Sequence, residues 1–278
     1  MENNCSDKRY CRLFNHPTTK LLAPELLGCT LREHLSGCQI LYLKGRIDLS
    51  GNSAGLMAVS NYQPSYYEVS TLEEAMGKIL TPEGGVSPLE RWEKETPILA
   101  DMLTNRLNLS ANHNIIDYGC GVGRLAKELI ARRDCNVIGV DISRSMRAFS
   151  HIYCESDAFF SCSKKSLQTM VDSGFCADHA FAIWVLQHAE NPEEDIDLIY
   201  NALAVGSTFL VMNLDYRCLP TGKGWEDDGI NIKKMIESRF DVLEYFPAPG
   251  GAVTDLARLI SFCALYRKSS DSGNNIST

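Results

Sequence analysis

The sequence predicts an α/β fold: a mostly parallel seven-stranded sheet with helices on its faces, an antiparallel last strand and an N-terminal extension. Two observations predict this fold. From residue 114 onward, short β-rich runs alternate with helical runs, which is typical of strands joined by crossover helices. The last two strand-like runs are joined by PAPGGAVTD, which is too rich in Pro and Gly for a regular crossover helix, so antiparallel pairing is expected there.

Two helices are predicted ahead of the sheet, each from a capping box. Ser70 with Glu73 precedes apolar residues at helical spacing, and Ser87 with Glu90 follows the breaker TPEGG. In such a box a side-chain oxygen accepts a backbone N–H at the start of a helix, and the acid returns the bond. Pro97 is expected to kink or restart the second helix.

Seven strands and two further helices are predicted after residue 113. One helix is RLAKELIARR; the other, EEDIDLIYNAL, has Asn191 as its N-cap and Gly206 just past its end. A strand-like run from Gln39 to Leu49 stands alone near the N-terminus. The seven strand-like runs are NIIDY, NVIGVD, AFFSC, HAFAIWVL, TFLVMN, FDVLEYF and LISFCALYRK.

The composition is that of a globular protein without a membrane span. The chain has 278 residues, 45% of them apolar, and a net charge of −8, which disfavours nucleic acid as a partner because phosphate binding needs clustered Lys and Arg. No apolar run approaches the ~18 residues of a membrane helix. The first residues lack the apolar core of a signal peptide, which predicts a cytoplasmic location.

The cysteines are predicted to be free structural thiols. The chain has eleven of them and no CxxC pair, so neither a metal site nor a disulfide framework is expected. Cys176 and Cys263 fall in apolar, strand-like surroundings, where a thiol behaves as a small hydrophobe.

A glycine-rich segment, IIDYGCGVG, falls between a predicted strand and a predicted helix. Glycines at this position permit a tight turn and a close approach of a ligand to the backbone, next to free helix N–H groups. The pattern GxGxxA of dinucleotide sites is met by Gly121, Gly123 and Ala126. Asp117, two residues before the first glycine, can accept hydrogen bonds from the loop amides, but it opposes a pyrophosphate and suits a cationic ligand without phosphate.

The three segments IIDYGCGVG, VIGVDIS and ADHAFAIWVLQHAENPEE, in this order, resemble the class I S-adenosylmethionine-dependent methyltransferases. The resemblance covers roughly residues 87 to 268, which we take as the cofactor-binding domain. Residues 1–86 are then an extension, either a substrate lid or a docking element, and residues 269–278 a disordered tail. The resemblance implies a Rossmann-like sheet of strand order 3-2-1-4-5-7-6 with strand 7 antiparallel, and S-adenosylmethionine as cofactor.

The resemblance also implies the cofactor-binding residues. The glycines would wrap the methionine and ribose portions, Asp141 would accept both ribose hydroxyls, and Ile142 would pack on the adenine face. Ser163 stands where the family often has an acid that contacts the adenine amino group. Arg91 is a candidate for the cofactor carboxylate, the alternative being a place on a solvated helix. The full predicted set is Arg91, Asp117, Gly119, Cys120, Gly121, Gly123, Asp141, Ile142, Ser163, Trp184 and Gln187.

Two residues at the ends of strands 4 and 5 are candidates for catalysis. His188 is predicted to act as general base, oriented by Asp215, because the pKa of histidine lies near ~6.5. The alternative is that His188 only caps or packs.

The acceptor is predicted to be a small molecule. An [N/D/S]PP[Y/F] loop after strand 4 and a Pro-Cys pair, which mark base methyltransferases, are both absent from the sequence. The acceptor atom, O, N, S or C, and the oligomeric state stay open. The alternatives are a protein or RNA acceptor that docks on residues 1–86, a cofactor-binding module without catalysis, and a NAD-dependent oxidoreductase that uses the GxGxxA pattern.

Overall fold

The computed structural model describes residues 62–83, 85–253 and 255–269 of the 278-residue chain. The strand-like run from Gln39 to Leu49 and nearly all of the predicted tail lie outside the described residues. Their predictions are therefore untested.

Helices precede and separate the strands of one large sheet. A 3-10 turn, Pro64–Tyr67, comes first and another, Leu186–His188, follows the fourth strand. The helices are α1 (Leu72–Ile79), α2 (Pro88–Arg106), α3 (Arg124–Arg133), α4 (Arg144–Cys154), α5 (Lys164–Asp172), α6 (Pro192–Ala202), α7 (Ile232–Glu237) and α8 (Asp255–Ile260). The strands are β1 (Asn114–Tyr118), β2 (Asn136–Val140), β3 (Phe159–Cys162), β4 (Ala177–Ile183), β5 (Leu203–Leu214), β6 (Leu219–Thr221), β7 (Gly224–Glu226), β8 (Asp241–Phe246) and β9 (Ser261–Arg267).

The sheet has seven strands in the order β3-β2-β1-β4-β5-β9-β8. Strands β1 to β5 pair in parallel, and β9 runs antiparallel to both β5 and β8. The predicted fold class, strand order and antiparallel last strand are confirmed. The sequence did not predict β6 and β7, which form a separate hairpin, or the helices α5, α7 and α8.

Both faces of the sheet are buried, as expected for strands that are apolar along their length. On one face α6 contributes Ile196 and Ile199 to a core with Phe209 of β5. On the other face Leu103 of α2 and Leu129 of α3 pack on the sheet. The loops at the carboxyl ends of the strands are therefore held by two rigid layers.

Several predicted boundaries differ from the structure. The cap of α1 is Thr71, whose side chain accepts from the Glu74 amide at 3.1 Å, so the predicted box at Ser70 and Glu73 was wrong by one residue. Helix α2 runs unbroken through Pro97, since buried side chains on both sides of the proline hold it in place. The second predicted box, Ser87 with Glu90, is confirmed.

Two further differences lie around β4 and β5. Strand β4 ends at Ile183, before the predicted end, because Trp184 has a left-handed backbone with φ +60°. Strand β5 follows α6 directly, so Gly206 lies within the strand, with φ +88°, and not after the helix as predicted. The described cysteines are all free, but Cys176 is exposed and not part of the core.

Candidate active site

One cavity of about 460 Å³ opens at the carboxyl ends of the parallel strands. It lies beside the point between β1 and β4 where the strand order reverses, the usual ligand position in open α/β sheets. Eight of the predicted site residues line it: Arg91, Gly119, Gly121, Asp141, Ile142, Trp184, Gln187 and His188. Asp117, Cys120, Gly123, Ser163 and Asp215 do not.

The glycine loop needs glycine for both conformation and space. Gly119, Gly121 and Gly123 all have positive φ, at +79°, +54° and +79°. A Cβ at Gly119 would lie 2.2 Å from Val185 Cγ2, and one at Gly121 would lie 2.6 Å from Ile79 Cδ1. Val185 and Ile79 therefore pack directly against the backbone of the loop, where a side chain would clash with them.

Asp141, and not Asp117, holds this loop. The amides of Gly119 and Cys120 donate to the Val140 carbonyl at 2.6 and 3.1 Å, and the Gly121 amide donates to Asp141 Oδ2 at 2.8 Å. The expectation that Asp117 receives these amides was wrong. Its carboxyl is buried, and burial together with the charge of Asp141 raises its pKa to about 8.

Asp141 lines the cavity and accepts two backbone amides. Its Oδ1 accepts the Ser143 amide at 2.8 Å while Oδ2 accepts Gly121, and a carboxylate has about four acceptor positions. Burial raises the pKa of Asp141, and the two amide hydrogen bonds oppose that rise. Ile142 beside it is 43% exposed and lines the cavity, so an apolar face is open to a ligand there.

His188 is not paired with Asp215. Its Nδ1 lies 2.7 Å from the Cys218 carbonyl, which only accepts, so Nδ1 carries the proton. Its Nε2 lies 3.1 Å from Gln187 Nε2, and Gln187 Oε1 accepts the Leu214 amide at 2.8 Å. Burial lowers the pKa of His188 to about 4. The predicted His–Asp pair was wrong, and the lone pair needed by a general base is already engaged.

Arg91 is engaged by protein groups. Its Nε lies 2.6 Å from Glu95 Oε1, and its Nη1 lies 3.2 Å from Glu83 and 2.7 Å from the Thr81 carbonyl. Sequence reasoning missed a second arginine, Arg124, which also lines the cavity.

Arg124 is 5% exposed and faces the ring of Trp92 at 5.4 Å. Among the described residues it makes a hydrogen bond of 3.5 Å to Thr96. Burial lowers its pKa to about 10. The signal that pointed to it was its position directly after the last glycine, at the first turn of α3.

Ser163 does not reach the cavity. Its hydroxyl caps α5 by accepting the Ser166 amide at 3.2 Å. Two residues that the sequence analysis missed do line the cavity: Lys164 and Asp195, whose Nζ and Oδ1 are 2.6 Å apart.

Aromatic rings form a further part of the cavity wall. Tyr66 packs edge to face on Trp225 at 5.2 Å, and Trp225 lies 4.9 Å from the ring of His188. Tyr62 and Tyr67 complete the wall. The segment 62–67, called the strap below, is tied to the hairpin β6–β7 because the Gln63 amide donates to the Pro220 carbonyl at 2.9 Å. The turn TGKG was the sequence signal for this hairpin.

Two searches of the described part of the chain were negative. No helix there is long and apolar enough to cross a membrane. No group of three or more His, Cys, Asp or Glu side chains there is arranged to hold a metal ion.

Comparisons with known proteins agree on one family. The family model of a methyltransferase domain matches residues 91–249. The chain is similar to the mitochondrial ubiquinone biosynthesis O-methyltransferase of Dictyostelium discoideum, 23% identical over 64% of this chain and 65% of that protein. It is also similar to the Rattus norvegicus protein of the same name, 25% identical over 53% of this chain and 46% of that protein. The chain thus spans less than two thirds of the length of these relatives.

A solved structure with partial similarity is an N-methyltransferase of Bradyrhizobium japonicum in complex with S-adenosylhomocysteine. It is 15% identical, with a TM-score of 0.46, over 66% of this chain and 89% of that one. The family model itself covers more than half of the chain, and the strand order and glycine loop described above fit it. The chain belongs to the methyltransferase-domain family, within the class I S-adenosylmethionine-dependent methyltransferases.

Proposed function

We propose that this protein transfers a methyl group from S-adenosylmethionine to a small-molecule acceptor. The observation that carries the proposal is that the glycine loop and the aromatic wall open into one cavity. Its volume of about 460 Å³ lies in the range of small-molecule sites, roughly 300–1,000 Å³. Cofactor and acceptor can therefore meet in one enclosed space.

The residues around the glycine loop fit the cofactor. The backbone at Gly119 and Gly121 lines the cavity, Asp141 has acceptor positions for the ribose hydroxyls, and Ile142 offers an apolar face for adenine. When bound, S-adenosylmethionine supplies an electrophilic methyl group on a sulfonium. We assign its carboxylate to Arg124 and not to Arg91, because Arg91 is already engaged by two carboxylates.

The aromatic wall supports a small, largely apolar acceptor. Rings of Tyr66, Tyr67 and Trp225 lie around the ends of β4 and β5, where they exclude water and orient a ligand. The two curated relatives are named as O-methyltransferases, which supports oxygen as the acceptor atom. The alternative, a protein or RNA acceptor, would use residues 1–86 as its docking element. The strap belongs to that segment, and it forms part of the cavity wall.

We assign His188 the role of a positioning residue. It holds the Cys218 carbonyl and the Gln187 amide together, and so fixes the end of β4 against the segment that leads into β6. Methyl transfer from a sulfonium depends mainly on bringing the acceptor in line with the methyl carbon. Methylation of an acceptor hydroxyl also releases its proton, which passes to solvent in this proposal because Nε2 of His188 is already engaged by Gln187.

Parallel titrations with S-adenosylmethionine, S-adenosylhomocysteine and NAD test the cofactor assignment. At ~100 times its dissociation constant a ligand adds about 2.7 kcal/mol, which raises the melting temperature by several degrees. We expect this for the first two ligands, a loss in Asp141→Ala, and no change in Asp157→Ala, an exposed control. A shift with NAD alone would replace the proposal by the oxidoreductase alternative.

Methyl transfer to cell extract tests the acceptor class. With labelled S-adenosylmethionine and extract separated into low-molecular-weight, protein and RNA fractions, we expect label in the low-molecular-weight fraction. Label that appears only in protein or RNA would contradict a small-molecule acceptor and leave the cofactor assignment intact.

A further inference from the structure

The cations that line the cavity differ in how their charge is balanced. Arg91 and Lys164 are each paired with buried acids, and Arg124 is the residue to which we assign the cofactor's carboxylate. Lys78 of α1 lines the cavity as well. Among the described residues, no carboxylate forms an ion pair with it. The charge of Lys78 is therefore available to a ligand.

Lys78 belongs to the aromatic part of the cavity wall. Its Nζ lies 3.8 Å from the centre of the Tyr66 ring in the strap. Tyr66 packs on Trp225 at 5.2 Å, and Trp225 lies 4.9 Å from the ring of His188. These contacts run from α1 across the strap to the turn that follows β4. The ammonium therefore lies beside the rings that we assign to the acceptor.

The contact with Tyr66 attracts the ammonium but does not neutralise it. A tyrosine ring has no net charge, so the ammonium keeps its charge and its three N–H donors. Glu74, one turn earlier on α1, is engaged at the start of the helix, where it accepts the Ser70 amide at 2.8 Å. Because Lys78 is half-buried, an anion that enters the cavity gains a charge-assisted hydrogen bond with little competition from water.

A different part of the wall is acidic and disfavours an anion. Burial raises the pKa of Tyr62 to about 12, and the charges of nearby acids add to this rise. These acids are Glu190, Asp195 and Asp141, all of which line the cavity. Since like charges repel, a negatively charged group of a ligand is kept away from this part of the wall and directed to Lys78.

We propose that Lys78 binds an anionic group of the methyl acceptor, which is therefore an aromatic or otherwise apolar molecule that carries a carboxylate; this inference rests on the proposed function. The apolar body of such a molecule packs on Tyr66 and Trp225, and its carboxylate accepts from the ammonium. A single unpaired cation matches the single negative charge of a carboxylate. Lys78 is thus a residue that determines the specificity for the acceptor.

The first test measures the charge of the labelled small molecule that the full chain forms in cell extract. We expect this product to bind an anion-exchange resin at about pH 7. At about pH 2 it should pass through, because a carboxyl group with a pKa near ~4 is then protonated. A phosphate or sulfate ester keeps charge at that pH and is retained, which would contradict the carboxylate.

The second test compares two competitors of this labelling, 3-phenylpropionate and 3-phenylpropionamide, which differ in charge. We expect the acid to inhibit the wild type at least about tenfold more strongly than the amide, in line with one charged hydrogen bond. In Lys78→Met this ratio should fall toward one, while S-adenosylhomocysteine keeps its dissociation constant in calorimetry. Lys78→Arg should keep the ratio. The matched control is Lys233→Met, which removes an ammonium 4.3 Å from the Tyr245 ring, outside the cavity, and should also keep it.

Each outcome decides the inference. A neutral or cationic product, or a Lys78→Met protein with the wild-type ratio, overturns it and leaves the methyltransferase proposal standing. So does a Lys78→Met protein that loses affinity for S-adenosylhomocysteine and keeps the ratio, since Lys78 then serves the cofactor. If no small molecule is labelled, the inference and the proposed function both fail. If neither competitor inhibits, the charge of the product decides alone, and if Lys78→Met does not fold, Lys78→Gln is measured in its place.

Discussion

The two carboxylates that flank the glycine loop lie in different surroundings. Asp141 accepts two backbone amides at 2.8 Å and faces the cavity, whereas Asp117 lies behind the loop with its pKa raised to about 8 by burial and by Asp141. Like charges at close range disfavour double ionisation. The cavity-facing acid therefore keeps its charge more readily when its neighbour is protonated.

His188 and His179 should make the protein less stable in weak acid. Burial lowers both pKa values from 6.5 to about 4, so between pH 6.5 and 4 the unfolded chain binds more protons than the folded one, and stability falls as the pH falls. We expect each histidine to contribute a loss of about 1 to 2 kcal/mol in unfolding free energy between pH 7.5 and 5. The measurement is urea unfolding at both pH values.

The matched variants are His188→Asn and His179→Asn. Each single variant should reduce the fall in unfolding free energy between pH 7.5 and 5 by the contribution of its own histidine. The double variant should reduce it by both contributions. A His188→Asn protein whose unfolding free energy falls with pH as steeply as that of the wild type would contradict the depressed pKa.

At the scale of elements, helix α1 rests on the glycine loop. Ile79 at its end fills the space into which a side chain at Gly121 would project, 2.6 Å away. The same helix packs on α2 and α4 through Ala75 and Met76, in a cluster with Trp92 and Met146. Movement of α1 and the shape of the loop are therefore coupled.

A double-mutant cycle between Gly121 and Ile79 tests this coupling. Gly121→Ala should lower the free energy of unfolding, measured in urea, for two reasons. The left-handed backbone strain costs about 1–2 kcal/mol, and the clash with Ile79 adds to it. In an Ile79→Ala background the clash is gone, so the cost should fall toward the strain alone. Gly174→Ala is the control, because Gly174 has φ +92° and nothing within 4 Å of an added Cβ; its cost should be equal in both backgrounds. Equal costs for Gly121→Ala would mean that α1 does not contact the loop in solution.

At the scale of the whole molecule, charge limits the class of partner. The chain has 35 acidic and 27 basic side chains, a net charge of −8, and two basic residues that line the cavity, Arg91 and Lys164, are paired with acids. Such a surface repels a polyanion, since non-specific affinity for nucleic acid comes from phosphate neutralisation.

We therefore expect little affinity for RNA. A mixed-sequence single-stranded RNA should bind with a dissociation constant weaker than about 10⁻⁴ M at 0.15 M salt, measured by fluorescence anisotropy. Binding tighter than about 10⁻⁶ M that weakens steeply with salt would instead support the RNA-acceptor alternative. A basic RNA-binding protein measured alongside shows that the labelled RNA is competent.

The order of strands and helices could be predicted because it depends on local patterns. Alternating β-rich and helical runs, and the Pro- and Gly-rich last connection, were enough for the seven-stranded sheet. The cap of α1 and the start of β5 were missed by a few residues, since Ser70 and Thr71 are both good caps and packing decides between them. The hairpin β6–β7 was missed because its strands have three residues each.

The residues of the site also divide into those that the sequence predicts and those that only the structure reveals. The sequence by itself determined the position of the glycine loop, Asp141 and Ile142, because they lie where a strand, a turn and a helix follow one another in the chain. The roles of Asp141 and Ile142 toward the cofactor come from the family resemblance and stay predictions. Only the tertiary structure decided that His188 pairs with Gln187 and Cys218, that Arg91 is taken by Glu83 and Glu95, and that Lys164 meets Asp195. These contacts join residues from separate elements, so their existence depends on how the layers pack, and no local pattern of residues specifies that.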